Sequence, residues 1–346
     1  MAEEVIMADS IMPDFGMLLT PDIRDKLKLA PIERLVELRE KQESDPVMYG
    51  WRLAGWDRLL VDWINFRVLV ALGGNRSTKS RLMARLTLHL AQVIPGFHGR
   101  CYSVNDESSV NDQQKAVWEE LPARFKALSK RRATDFSISY TQKNGFTGGK
   151  LILPPVKTGY PGSELIFQTY RSWVNDPQVS EGWKAHWIWL DEEAPLKLYE
   201  TLLLRLIDYR GRMGLSFTTL NGWTPLVADL LNGAKTTDRR PAPLLNNRLL
   251  PTRQLSKRAR VVIHYLWTQD NVFIPHEDMV ADLKGRPEQE ILARAYGIPT
   301  KSRANKFPLF NRDVHVVAHK DMPIVKNPSL SVTWYTANDP AGSKPW

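Results

Sequence analysis

The chain almost lacks cysteine: Cys101 is the only one in 346 residues. A single thiol excludes an internal disulfide framework and any cysteine-built metal site within one chain, and it suits a reducing compartment. Long hydrophobic runs are missing too, and none approaches the roughly 20 apolar residues of a membrane-spanning helix. The opening Met1-Ala2-Glu3-Glu4 has neither a basic nor an apolar segment, so no secretory signal is expected. No internal repeat or low-complexity tract is visible. Acidic residues are in deficit, 38 against 47 Lys and Arg, for a formal charge of +9. That balance favours an acidic partner, nucleic acid first, and says nothing about fold. The other proportions, with 43% hydrophobic residues, are those of a globular protein with a sizeable core, and the length suggests about two domains.

What is present is organised around residues 66–90. An apolar run, Val68-Leu69-Val70-Ala71-Leu72, leads into Gly73-Gly74-Asn75-Arg76-Ser77-Thr78-Lys79-Ser80. A helical pattern follows, with Leu82, Met83, Leu86, Leu90 and Ile94 on one face. Strand, glycine-containing loop, Lys-Ser and helix form the context of a phosphate-binding loop. Free backbone N–H groups and the helix N-terminus would face an anion. Lys79 would reach the β- and γ-phosphates of a nucleotide, and the Ser80 hydroxyl would sit on Mg²⁺. The pattern GxxxxGK(S/T) wants Gly where Thr78 stands, and Thr is stiff and disfavours positive φ. Just upstream, Tyr49, Trp51, Trp56 and Trp63 cluster, and Trp51 or Trp56 could stack on an adenine or anchor the core.

Two further stretches carry chemistry. Ala185 to Glu193 reads as a buried strand ending in three carboxylates, Asp191, Glu192 and Glu193. In phosphoryl transfer Asp191 would hold Mg²⁺ and Glu192 would polarise the attacking water; otherwise the group is a solvated strand end that caps the next helix. Leu215 to Gly222 reads as a strand ending in small polar residues, where a hydroxyl or amide can touch a γ-phosphate, or simply as a strand and turn. The surrounding chain supplies a charged amphipathic helix over 31–42, a strand over 101–104, a helix over about 109–128, and strands over 136–140, 151–153 and 164–169. Prolines 241, 243 and 251 predict a long basic loop over 233–260, suited to phosphate-backbone contact or simply solvated. A strand over 261–267, helices over 276–283 and 287–296 stopped by Gly297, and short strands over 307–310, 314–318 and 330–336 complete the reading.

Together GGNRSTKS (73–80), WIWLDEEAP (187–195), FTTLNG (217–222), ARAYGIP (293–299) and TANDPAG (336–342) resemble the large terminase subunit of tailed bacteriophages, the motor that packages DNA into capsids. The likeness runs over roughly residues 45–342. It implies an α/β fold: a P-loop ATPase core of the additional-strand type, with a mainly parallel central sheet, helices on both faces and added antiparallel strands. A helical leader over 1–45 would precede this core at 46–304, and 305–346 would be a linker and the first strands of an RNase H-like nuclease domain. The resemblance implies ATP and Mg²⁺ as cofactors. Lys79 and Ser80 would contact phosphate and metal, Asp191 the metal, and Glu192 would be the catalytic carboxylate. Arg76 would sense or stabilise the γ-phosphate, and Thr218, Thr219, Asn221 and Gly222 would couple hydrolysis to DNA movement. Arg205, Arg210 or Arg212 could instead be a finger supplied by a neighbour. Partners implied are duplex DNA held by its backbone, a portal protein, a small terminase subunit and further copies in a ring, in the host cytoplasm at the procapsid. Asp339 matches the first metal aspartate of the nuclease, but the chain stops at Trp346 without the remaining carboxylates such a site needs, so no nuclease activity is expected. Two rival readings remain at this level: another P-loop helicase or translocase, and a non-hydrolysing scaffold that docks on DNA or a portal.

Overall fold

Val68–Gly73 is apolar throughout and buried along its whole length, as a strand covered on both faces must be. Its alternate residues part: Leu69 and Ala71 enter one hydrophobic cluster, Val68, Val70 and Leu72 another. Trp187–Asp191 divides in the same way, Trp187 and Trp189 joining the first cluster and Ile188 and Leu190 the second. Two cores therefore lie on opposite faces of one sheet. The protein is seen here in a computed structural model that describes residues 18–19, 30–131 and 133–300. Asp339, the expected strands beyond residue 306 and residues 1–17 and 20–29 of the expected leader over 1–45 lie outside the described residues.

The sheet has nine strands: β1 (Val68–Gly73), β2 (His98–Ser103), β3 (Lys150–Leu153), β4 (Ser163–Thr169), β5 (Trp187–Asp191), β6 (Arg212–Phe217), β7 (Lys235–Ala242), β8 (Arg248–Leu255) and β9 (Val261–Leu266). Their order across the sheet is β7-β8-β9-β1-β6-β5-β2-β4-β3. The run from β9 to β4 is parallel, and β3 and the β7–β8 hairpin are antiparallel additions at the two edges. This is the α/β architecture expected, with a mainly parallel sheet. β6 separates β1 from β5 although it follows both in sequence, so the strand carrying Phe217 ends between the glycine loop and Asp191. The helix Lys79–Val93 fills the first face, while Leu196–Leu204, Pro225–Leu231 and Glu288–Tyr296 fill the second. Among the described residues no helix is long and apolar enough to cross a membrane.

Four local expectations change. The basic loop over 233–260 is instead the β7–β8 hairpin. Asn246 and Asn247 turn it with φ of 51° and 58°, a conformation Asn tolerates. The prolines fit because Pro241 lies near the tip and Pro243 in the connection, while β8 pairs with β9 only over Arg253–Leu255, beyond Pro251. The helix over 109–128 is broken: a π turn spans Ser109–Gln114, an α-helix Lys115–Glu120, and Leu121 is extended ahead of Pro122, as a residue before proline prefers. Of residues 136–140, only Tyr140 joins a strand, with Ser137 bridging to Ile152. The helix Ile32–Ser44 forms, but none of its residues is buried, and Ile32 and Val36 are exposed.

Candidate active site

The loop after β1 is held from several sides. Gly74 N donates to Leu266 O (3.1 Å) and Asn75 N to Arg294 O (2.7 Å), while Thr268 Oγ1 donates to Asn75 O (2.7 Å) and Asn271 Nδ2 to Arg76 O (2.8 Å). The amides of Gly74 and Asn75, expected to be free for an anion, are thus already donating within the protein. Lys79 is buried at the first turn of its helix. Its ammonium donates to Gly74 O (3.0 Å), Gly73 O (3.2 Å) and Thr218 Oγ1 (3.0 Å). Burial pushes its pKa down to about 8 against the opposing pull of Glu192 and Asp191.

Thr78 stands at φ 65°, the left-handed region that a β-branched residue disfavours. Its hydroxyl is tied down: it donates to Ser77 O (2.6 Å) and accepts from Trp56 Nε1 (3.1 Å). Trp56, buried in the first core, therefore supports the strained residue. Strain of this kind costs about 1–3 kcal/mol and persists only where neighbours over-determine it.

At the end of β5, Asp191 is buried and accepts from two hydroxyls, Ser216 Oγ (2.6 Å) and Ser80 Oγ (3.2 Å). Trp189 Nε1 donates to Ser216 Oγ (2.8 Å) and fixes its orientation. Burial raises the Asp191 pKa to about 7, and the neighbouring Glu192 adds to the rise. Glu192 turns the chain at φ 64°, with its own N–H on Ser216 O (2.8 Å). Desolvation raises its pKa, opposed by Lys79 and reinforced by Asp112 and Glu193. Tyr170, at the start of the helix after β4, donates its hydroxyl to both Asp191 O and Glu192 O (2.9 Å each). Glu193 points elsewhere and accepts from Thr224 Oγ1 and the Asn221 side chain.

The segment after β6 touches both neighbours. Thr218 meets Lys79, Asn221 meets Glu193, and Thr219 Oγ1 donates to Gly297 O (3.1 Å). Gly222 completes the turn at φ 73°. Gly297 ends the helix Glu288–Tyr296 at φ 69°, and a β-carbon there would lie 2.5 Å from Gly73 Cα. Only glycine allows the ARAYGIP segment to pack on the first glycine of the loop.

Other expected residues stand at the margin. Arg76 (φ 59°) is exposed and, with Asn75, lines a cleft of about 210 Å³ shared with Asp278, Asp282, Arg286 and Arg294. Trp51 packs on Phe273 (4.4 Å) and Trp56 (5.5 Å), with the Arg81 and Arg85 guanidiniums over its ring. Arg212 is far from Asp191 along the strands, its guanidinium on Ile64 O (2.9 Å) and over Trp63. It is therefore no partner for the site in its own chain. Sequence reading misses Tyr170, Ser216, Thr268 and Asn271, whose only local signal is a polar residue just at or beyond a strand or its connection.

The donor set suits a small hard cation: one carboxylate and one hydroxyl, Asp191 and Ser80, 3.2 Å apart. Among the described residues no group of three His, Cys, Asp or Glu is placed to hold a metal, so Mg²⁺ here would rely on phosphate and water oxygens for its other positions. No protein-family model and no curated protein matches the chain. Among solved structures the chain is similar to the large terminase ATPase domain of Thermus phage P74-26, with 14% identity and a TM-score of 0.47, covering 66% of this chain and 87% of that one. It is also similar to the large terminase of a thermophilic bacteriophage solved in complex with ATP-gamma-S, with 10% identity and a TM-score of 0.44, covering 76% of this chain and 55% of that one. A third likeness, to the Phi-28 gp11 DNA packaging motor, has 12% identity and a TM-score of 0.38, covering 66% of this chain and 64% of that one.

Proposed function

We propose that the chain is the ATP-hydrolysing motor part of a viral DNA-packaging terminase, with a P-loop core of the additional-strand type. One observation carries the ATPase reading. Lys79 lies 3.0 Å from Thr218 while Ser80 lies 3.2 Å from Asp191, so the three chemical segments of the sequence meet at one end of the sheet, with Glu192 beside them. The packaging role rests on the motif resemblance and the +9 charge.

In this reading Lys79 exchanges the Gly73 and Gly74 carbonyls for the β- and γ-phosphates of ATP. Ser80 and Asp191 hold Mg²⁺, which supplies charge neutralisation to the phosphates when bound. Glu192, fixed by Tyr170 and turned at positive φ, orients the attacking water. Arg76 neutralises charge developing on the transferred group. Thr218 shares its hydroxyl with Lys79, so any displacement of the ammonium is felt at once by the segment ending in Gly222. Thr219 and Asn221 extend that contact to Gly297 and Glu193. Trp51 and Phe273 offer aromatic surface beside the loop for the adenine. The basic surface grips duplex DNA by phosphate, without base readout.

A non-hydrolysing scaffold is the second reading, favoured by Thr78 at φ 65° and by loop amides already engaged with Leu266 and Arg294. Steady-state ATP hydrolysis by the wild type, Lys79→Ala, Glu192→Gln and Arg76→Ala separates the two. Turnover lost in the first two variants supports the motor; nucleotide binding without turnover in the wild type supports the scaffold.

A further inference from the structure

At the end of the sheet away from the loop, arginines stand in a row. Arg260 precedes β9, Arg67 precedes β1 and Arg212 opens β6, and register sets them level, since Val68 pairs with both Val261 and Met213. The backbone runs straight through them: Arg67 N and Val68 N donate to Arg260 O (2.9 and 3.1 Å), and Met213 N donates to Arg67 O (2.9 Å). Strands about 4.8 Å apart spread the three over about 10 Å.

Among the described residues none of the three makes an ion pair. The Arg67 guanidinium donates to Leu203 O (2.9 Å), that of Arg212 donates to Ile64 O (2.9 Å), and Arg260 is exposed. Arg67 and Arg212 are half-buried, Arg212 with its guanidinium over the Trp63 ring, so the exposed Arg260 offers the most open donors of the three. Burial and then the nearness of Arg260 lower the pKa of both Arg67 and Arg212, the mark of cations crowded together. The hairpin region, by contrast, spends its arginines internally: Arg240 on Asp270, Arg248 on Glu288, Arg253 on Asp62, Arg258 on Asp229 and Glu200. Half of the basic residues expected to grip DNA over 233–260 are thus paired within the protein, while Arg260, the last of that segment, stands level with Arg67 and Arg212 at the strand starts.

We propose that the Arg260–Arg67–Arg212 row is a docking surface for the phosphodiester backbone of duplex DNA. Its span of about 10 Å is enough to reach three or four successive phosphates along one strand, which at about 3.4 Å of axial rise per step extend over about 7–10 Å. Nucleic acid is chosen over an acidic protein because of the motor reading, on which this proposal rests. β1 joins Arg67 to the glycine loop and β6 joins Arg212 to Thr218, so the DNA grip and the nucleotide contacts occupy opposite ends of the same two strands.

The test is the affinity of a labelled duplex across a salt series for wild type, Arg260→Gln, Arg67→Gln with Arg260→Gln, and a hairpin control of Lys235→Gln with Arg239→Gln. Arg260→Gln should weaken binding about five- to tenfold at low salt, equally for unrelated sequences, and flatten the log–log salt slope by about 0.9. Its melting temperature and ATP turnover should match the wild type, since its side chain is exposed and remote from Lys79. The double variant should lose more, and the hairpin control little. Wild-type affinity and slope in Arg260→Gln, or loss confined to the hairpin control, overturns the row. Binding of poly-glutamate but not duplex through Arg260 overturns the choice of DNA. Turnover is measured independently, so a failed ATPase and a failed DNA surface give different results.

Discussion

Two aspartates are buried to nearly the same degree and are treated in opposite ways. Asp62, at the end of the helix Ala54–Asp62, receives Arg253 Nε (2.5 Å) and Nη2 (3.0 Å), and His264 Nε2 lies 2.9 Å away. Burial alone would raise its pKa, but hydrogen bonds from His264 and Arg253 outweigh it and hold the carboxyl down to about 2. Asp191 receives two serine hydroxyls, and burial carries it up to about 7. One carboxylate is satisfied by the fold. The other is left short of cationic charge, and the lysine beside it is also pushed towards neutrality. On the function proposed above, that is the difference between a structural carboxylate, complete in the protein alone, and one that awaits a ligand.

The comparison can be broken at either end. The largest expected effect is catalytic: Glu192→Gln should lower kcat by about 10²–10⁴ while leaving ATP affinity and melting temperature nearly unchanged. Next is Asp62→Asn, which strands Arg253 and should cost about 3–5 kcal/mol of stability by denaturant titration. Undiminished stability would mean that the cluster is ornamental. Tyr170→Phe removes the clamp on the Asp191 and Glu192 carbonyls. It should lower kcat about tenfold, with KM unchanged, the equivalent of about 1.4 kcal/mol. Placed on Glu192→Gln it should add little, because Tyr170 acts by holding the Asp191–Glu192 backbone that positions that carboxylate. Thr78→Gly relieves strain of about 1–3 kcal/mol but loses the Trp56 hydrogen bond of about 1 kcal/mol, so a net change between zero and a small stabilisation is expected in thermal melts.

The pH dependence sharpens the same contrast. Asp62 has a depressed folded pKa, so its stabilisation is present above 3.8 and is lost as pH falls towards about 2. His264, also depressed by burial, acts in the same sense below 6.5. Asp191 is raised, so its contribution is full below 3.8 and disappears as pH climbs through about 7. Asp191→Asn should therefore be more stable than the wild type at pH 8 and close to it at pH 4, with turnover gone at both. Equal melting curves at pH 8 would contradict the raised pKa.

Sequence reading reaches what local pattern encodes. The strand and helix around Lys79, the apolar strand ending at Asp191 and the helix stop at Gly297 are written in consecutive residues. So is the polar end of β6, although its contact with Lys79 is foreseen only as contact with a phosphate. Long-range assembly is not readable. Nothing near Tyr170 says that its hydroxyl will clamp a strand end, and nothing near Gly297 says that its missing β-carbon admits Gly73. The 233–260 segment reads as a loop because three prolines outweigh the alternation of β7 and the Asn246-Asn247 turn. Arg253, one of the basic residues of that segment, is consumed by Asp62. Thr78 is recognisably unfavourable in the sequence, but its remedy, the indole of Trp56, sits in a different helix.

The central claim is that Lys79, Asp191, Thr218 and Glu192 form one ATP-hydrolysing site. Its most direct test is ATP turnover by the wild type and Glu192→Gln, with ATP binding measured on both. The account predicts that the wild type turns over, and that Glu192→Gln binds ATP with similar affinity yet hydrolyses it about 10²–10⁴ times more slowly. A wild type that binds no ATP, or a Glu192→Gln variant as fast as the wild type, would contradict it.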